Sequence, residues 1–223
     1  MAITLPSKSM RASLELSVLH YQKMLNSEKG HLAVSYLKAR GITKEVADYF
    51  RLGLVVDPLP ESGHDFQLGR IAIPYITQTG IVQIRFRSIP FDGIPGNPEP
   101  SPKMKSEAGA GTTMYNVTAL NGTGGLLAVC EGEFDTMTGH MAGIPSVGIP
   151  GAQAWQSLFA LALKFRKVII LADNDDHGEG MKFAEKVQAD VRGARIILMP
   201  EGYDVNSFVV ENGIDALRQK VGL

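Results

Sequence analysis

Cysteine is almost absent from this sequence of 223 residues, and neither charge sign is in excess. The single Cys130 has no partner for an internal disulfide, and no Cys/His cluster has zinc-ligand spacing. No apolar run approaches the roughly 20 residues that cross a bilayer, and the start lacks the apolar segment of a secretory signal. We therefore expect a protein of a reducing cytoplasm, that of the host cell if the protein is viral, with no structural zinc and no membrane contact.

The charge balance excludes a strongly basic nucleic-acid binder. Twenty-two Lys and Arg residues stand against 23 Asp and Glu, which gives a formal net charge of -1. Any basic groove must therefore be local. The length and the 44% hydrophobic content allow one large domain or two small ones, each with its own core.

The first half of the chain has the pattern of helices followed by a hairpin. Apolar residues recur at three- and four-residue intervals over residues 13–50, with Gly41 as a helix end and Thr43 as the next N-cap. Residues 70–74 and 81–88 are predicted to be strands joined by a polar turn. Alternation in the second strand places Arg85 and Arg87 on one face, a candidate ligand surface. The five prolines from 90 to 102 predict an irregular loop.

The second half alternates short apolar runs with helical stretches, as βαβ units do. Strands are expected at 126–130, 146–148, 168–172 and 195–199. Helices are expected near 135–142, 153–163, 181–191 and 205–212. The predicted class is α/β: an α+β domain over residues 1–120, then an α/β domain with a central, mostly parallel sheet over residues 121–223.

Acidic residues follow two of these predicted strands directly. Glu131 comes after the first strand, and Asp173 and Asp175 come after the third. Ligands of open parallel sheets bind at the carboxyl ends of the strands. If the two strands are neighbours, the carboxylates repel one another unless a cation intervenes. Oxygen ligands without nearby Cys or His favour Mg²⁺ or Mn²⁺ over zinc.

A simpler interpretation is that these are solvated loop acids, since turns are rich in Asp, Asn and Gly. Two clusters about forty residues apart, at equivalent strand ends, favour the metal site instead. Asp204 is either a further acid of the site or the N-cap of the helix that begins at Val205. Gly178 and Gly180 fit a helix entry better than a phosphate cradle.

The motifs resemble those of a known family. Residues 131–135 (EGEFD), Asp173-Asn174-Asp175 with Gly178, and residues 202–206 (GYDVN) follow the order and spacing of the TOPRIM domain, which primases, topoisomerases and some nucleases share. Upstream segments resemble the N-terminal subdomain of DnaG-type primases specifically: residues 36–42, 50–53, 69–75, 85–87, 102–104 and 114–116. The sequence thus resembles the catalytic core of DnaG-type primases, above all those of bacteriophages.

This resemblance implies roles for individual residues. Glu131, Asp173 and Asp175 match the catalytic acids that bind Mg²⁺ or Mn²⁺, with Asp135 supporting them and Asp204 secondary. Basic positions that hold template or nucleotide phosphates correspond to Arg40, Arg87 and Lys103, with weaker claims for Arg70, Arg85 and Lys105.

The resemblance also implies an activity and partners. It predicts synthesis of short RNA primers on single-stranded DNA from ribonucleoside triphosphates by two-metal nucleotidyl transfer, with a replicative helicase and a separate zinc-binding protein as partners. The sequence departs from the family in lacking the zinc ribbon and in carrying Asn206 where cellular primases usually have Asp. The alternatives are a TOPRIM nuclease and a non-catalytic adaptor that binds single-stranded DNA.

Overall fold

The computed structural model describes residues 6–107, 109–122, 125–174 and 178–223. The predicted metal ligand Asp175 lies outside these residues. The chain divides into two compact units, Met1–Gly111 and Thr112–Leu223. None of the helices in the described ranges is both long enough and apolar enough to cross a membrane.

The described residues of the first unit form three α-helices and four strands. The helices are α1 (Lys8–Leu25), α2 (His31–Ala39) and α3 (Lys44–Tyr49), and the strands are β1 (Gly53–Leu54), β2 (Ile71–Thr77), β3 (Gly80–Arg87) and β4 (Met104–Ser106). The strands form an antiparallel sheet in the order β1-β2-β3-β4. The predicted hairpin is therefore confirmed as β2 and β3, and the proline-rich segment before β4 contains no regular element.

Helix α1 covers one face of this sheet. Apolar side chains of α1, including Leu14 and Val18, pack with Ile84 and Phe86 of β3 in one buried cluster. Residues directly opposite each other in antiparallel strands point to the same side, so Lys105, opposite Phe86, points to the side of the sheet that α1 covers. Arg85 and Arg87 alternate with Phe86 along β3. They therefore point to the other side of the sheet, away from α1, as their alternation predicted.

The turn between α2 and α3 forms as predicted. Gly41 adopts a left-handed φ of 71°, which the absence of a Cβ permits. The Ile42 amide then donates to the Leu37 carbonyl at 2.9 Å. The Thr43 hydroxyl accepts from the Val46 amide and caps α3.

The second unit is built on a parallel sheet. Its strands are β5 (Leu126–Cys130), β6 (Ser146–Gly148), β7 (Lys167–Ala172) and β8 (Arg195–Leu198), in the order β6-β5-β7-β8. All three strand pairs are parallel. Its helices are α4 (Glu133–Met141), α5 (Glu179–Asp190), α6 (Val205–Asn212) and α7 (Ile214–Val221). The α/β class is therefore confirmed.

Both faces of the parallel sheet are covered, which explains why its strands are almost uniformly apolar. One face packs against α5 and against the buried Trp155, Phe159 and Leu163. The other packs against α6 and α7. The carboxyl edge between these layers carries the candidate site.

The predicted helix at 153–163 is wrong. This segment forms two 3-10 helices, Ala152–Ala154 and Ser157–Leu163, separated by extended backbone at Trp155 and Gln156. The Trp155 indole N–H donates to the Asp190 carboxylate at 2.7 Å, and its ring packs edge-on against Phe159. These contacts hold Trp155 in a non-helical backbone conformation. The spacing of apolar residues, which predicts one continuous helix, does not reveal them.

Candidate active site

The two acidic segments lie side by side at the carboxyl edge of the parallel sheet. Strands β5 and β7 are neighbours, with Cys130 opposite Leu171. Glu131 and Asp173 follow these strands within two residues, so the topology brings them to the same edge. Because α4 begins directly after β5, its first turn carries the buried acids Glu133 and Asp135 to the same edge.

Asp173 is an acid of the site with a strongly raised pKa. Its pKa is raised to about 9, first by burial and then by the negative charges of Asp135, Asp204 and Glu131. The Val205 amide opposes this shift by donating to the carboxylate. The Asp173 Oδ1 atom is fully buried and has no hydrogen-bond partner within the described ranges. Burial of such an oxygen costs free energy unless it has a partner, and the described residues supply none.

Asp135 and Asp204 are engaged in local structure. Asp135 Oδ1 accepts from the Asn206 amide at 3.1 Å. Asp204 Oδ1 accepts from the Ser207 amide at 2.5 Å, and the Ser207 hydroxyl accepts from the Asp204 amide, which completes a capping box. The N-cap interpretation of Asp204 is therefore confirmed, and its charge still acts on Asp173.

The residues fit a hard cation at Asp173, although they do not form a complete ligand cage. No three Asp, Glu, His or Cys side chains of the described residues converge closely enough to hold a metal ion together. The predicted ligand Asp175 is not among them. The buried Oδ1 of Asp173 nevertheless has the character of a metal ligand, and neighbouring carboxylates supply the oxygen donors that Mg²⁺ favours.

Asn174 joins the loops that follow β7 and β8, a contact that the sequence did not indicate. Its side-chain amide donates to the Met199 carbonyl at 3.1 Å, and its backbone amide donates to the Tyr203 carbonyl at 3.0 Å. The Gly202 amide returns a bond to the Asn174 carbonyl at 2.8 Å. These bonds hold the loop that ends at Asp204 against Asn174, the residue next to Asp173.

Two of the predicted phosphate-binding residues meet in the first unit. The guanidinium carbons of Arg40 and Arg87 lie 5.8 and 5.9 Å from the centre of the buried Tyr36 ring. Arg87 also donates to the Tyr36 hydroxyl at 2.8 Å. The one ring thus has two cations near it, each within the range of cation–π attraction.

The other basic candidates are placed differently. Arg70 is buried and donates to the Pro102 carbonyl at 2.8 Å, and burial lowers its pKa. Lys105 points to the side of the sheet away from Arg85. Its ammonium lies 3.4 Å from the Phe66 carbonyl. Lys103 is exposed in the segment before β4.

The Toprim-like family model matches residues 128–209. The Gene 57 protein of Mycobacterium phage D29 is 41% identical over 159 residues, which cover 69% of this chain and 98% of the phage protein. A DNA primase of Aquifex aeolicus (strain VF5) is 28% identical over 227 residues, which cover 86% of this chain. The chain spans only 45% of the length of that primase.

Solved primase structures share the fold over nearly the whole chain. The Aquifex aeolicus primase with its zinc-binding and RNA polymerase domains matches with a TM-score of 0.74 and 24% identity, covering 97% of this chain and 61% of that one. The chain belongs to the family of the phage D29 Gene 57 protein and has the fold of DnaG-type primase catalytic cores. The DnaG primase catalytic domain bound to single-stranded DNA also matches, with a TM-score of 0.76 and 20% identity, covering 96% of this chain and 78% of that one.

A glycine of α5 packs directly against Asp173. A Cβ at Gly180 would lie 2.2 Å from the Asp173 carbonyl oxygen and 3.0 Å from the Asp173 Cβ. Gly180 therefore permits close approach of the helix start to the acid, and the helix-entry interpretation is confirmed. Gly178, with φ of 64°, is the left-handed N-cap of the same helix.

Gly180→Ala should displace the Asp173 backbone or the start of α5. We expect a loss of about 1–3 kcal/mol in the free energy of unfolding, as for other overpacked sites, measured by urea titration. Gly122→Ala is a matched control, because Gly122 has an ordinary φ of −66° and open space around its Cα. Equal stability of the two variants would contradict the close packing of Gly180 on Asp173.

Proposed function

We propose that this chain synthesises short RNA primers on single-stranded DNA from ribonucleoside triphosphates. The observation that carries the proposal is the Asp173 carboxylate. It lies at the sheet edge of a chain with the fold of primase catalytic cores, its pKa is raised, and its buried Oδ1 has no hydrogen-bond partner among the described residues. We place the reaction in the cytoplasm of the cell that makes the protein, with a replicative helicase and a separate zinc-binding protein as partners.

Asp173, Glu131 and Asp175 would hold Mg²⁺ or Mn²⁺. When bound, the metal activates the attacking 3′ hydroxyl and stabilises the charge that builds on the departing pyrophosphate. Asp135 and Asp204 contribute the surrounding negative charge. Asp173 needs the cation to ionise near pH 7, because its pKa is raised to about 9 without one.

The first unit would bind the template and nucleotide phosphates. Arg40 and Arg87 place two positive charges around the Tyr36 ring, and Lys103 and Arg85 supply further charge. Contacts of this kind are made to phosphate and are therefore neutral to sequence. They make binding strongly dependent on salt.

The test is a reaction with an end-labelled DNA template, labelled ribonucleotides and Mg²⁺, resolved by size. Short RNA products that require the chain, the template, the ribonucleotides and Mg²⁺ would support the proposal. Shortening of the labelled DNA without ribonucleotide incorporation would replace it with the nuclease. Template binding without either reaction, even with a zinc-binding primase domain added, would favour the adaptor.

Arg40→Ala should weaken binding of single-stranded DNA several-fold. The loss of one phosphate contact should also reduce the slope of log K against log salt by about 0.7. Fluorescence anisotropy of a labelled oligonucleotide at several salt concentrations measures both. Lys38→Ala is the matched control, because Lys38 is an exposed cation in the same last turn of α2. Equal losses in both variants would contradict a specific role for Arg40.

A further inference from the structure

Asn206 joins α6 to α4 through two hydrogen bonds. Its backbone amide donates to Asp135 Oδ1 at 3.1 Å, and its side-chain Nδ2 donates to Thr138 Oγ1 at 2.9 Å. Asn206 is 1% exposed, and Thr138 is fully buried. The two acceptors lie one helical turn apart on α4, so Asn206 fixes the turn that carries Asp135.

The chemistry of Thr138 requires an amide rather than a carboxylate at position 206. The Thr138 hydroxyl donates its one hydrogen to the Phe134 carbonyl at 2.9 Å. Its oxygen can therefore only accept from Asn206, and a side-chain N–H meets this need. An ionised Asp at this position has no hydrogen to donate, and it would add a buried charge beside Asp135.

The Asp135 carboxylate is held by Asn206, which donates to its Oδ1 atom. The other oxygen, Oδ2, lies beside Gly132, where a Cβ would be 2.9 Å from it. Asp135 lies in the first turn of α4, at the carboxyl edge of the sheet that also carries Asp173 at the end of the neighbouring strand β7. The position of Asp135 therefore helps to set the charge environment of the proposed metal-binding acid.

We propose that Asn206 is a positioning residue, which holds the Asp135 carboxylate in the acidic site by bonding to α4 and does not itself bind metal. This inference rests on the proposed function. It also accounts for Asn206 at a position where cellular primases usually have Asp. The uncharged amide side chain connects α4 and α6 by a hydrogen bond, where an Asp carboxylate could bind metal.

The test compares Asn206→Asp and Thr138→Val in the full chain. Thr138→Val removes the acceptor and keeps the side-chain size. Each variant should lower kcat for primer synthesis about tenfold and raise the Mg²⁺ concentration needed for half the maximal rate, with the ribonucleotide KM unchanged. Both changes break the bond between Asn206 and Thr138, and only Asn206→Asp also adds a buried charge, so the double variant should lose little more than Asn206→Asp alone.

Mn²⁺ binding, measured by electron paramagnetic resonance, is a readout that does not depend on activity. Asn206→Asp should bind Mn²⁺ no more tightly than the native chain. Urea unfolding followed by Trp155 fluorescence, which reports on the second unit, would confirm that each variant is folded.

Tighter Mn²⁺ binding by Asn206→Asp together with full activity would overturn the inference, since position 206 would then reach the metal. Native behaviour of Thr138→Val would also overturn it. If the native chain binds Mn²⁺ but makes no primers, the proposed function fails while the binding data still decide the role of Asn206. If the native chain binds no Mn²⁺, both proposals fail.

Discussion

Asp173→Asn should reduce primer synthesis at least about 100-fold. Loss of a group that only supports a metal ligand costs up to about 100-fold in activity, and loss of a ligand itself should cost no less. Asn keeps the size of the side chain, and it removes the charge that holds the cation. In the native chain, Asp173 Oδ1 is buried without a hydrogen bond from any residue that the structure describes, so the cation is its natural partner.

Asp215→Asn is the matched control for this prediction. Asp215 lies exposed in the first turn of α7, so its substitution removes the same charge from the same unit. We expect this variant to retain native activity. Comparable primer yields from Asp173→Asn and the native chain, measured at saturating Mg²⁺, would contradict the role of Asp173.

Without metal, the second unit should become less stable as pH rises from about 4 to about 9. The pKa of Asp173 is near 3.8 when the chain is unfolded and is raised to about 9 in the fold. Between these values the folded state retains a proton that the unfolded state has lost. The free energy of unfolding therefore falls with rising pH, by at most about 1.4 kcal/mol per unit for one proton, and levels off above the folded pKa.

The measurement is urea unfolding in EDTA between pH 5 and pH 9, followed by the fluorescence of the single Trp155. Asp173→Asn lacks the titrating group, so its stability should rise relative to the native chain as pH increases. Mg²⁺ should reduce the difference by favouring the ionised carboxylate. Parallel pH profiles of native and variant chains would show that Asp173 ionises normally.

The parallel strands were the most predictable part of the fold. Strands β5 and β6 have the predicted ends, and β7 and β8 differ by one residue. Buried parallel strands are continuous apolar runs, and each is followed here by residues typical of turns. The adjacency of Glu131 and Asp173 then follows from topology alone.

Elements that depend on tertiary contacts were missed. Strand β4 has only three residues and forms because Lys105 pairs with Phe86 of β3. Helix α7 was not predicted, and it exists because Leu217 and Val221 pack against the sheet. Short segments of this kind carry too few residues for a periodic pattern to be detected.

The local roles of the acids were equally hidden. The sequence shows that Asp135 and Asn206 are polar, but their contact depends on how α4 packs against α6. The same holds for Arg70, which binds a backbone carbonyl 32 residues away. Such contacts are set by the fold, so sequence spacing cannot reveal them.

The proposed activity is measured most directly by incubating the native chain with single-stranded DNA, α-labelled ribonucleoside triphosphates and Mg²⁺. We expect short, template-dependent RNA that disappears when EDTA is added. A chain that incorporates no ribonucleotide, with a zinc-binding primase domain present and with its DNA binding intact, would contradict the proposed activity.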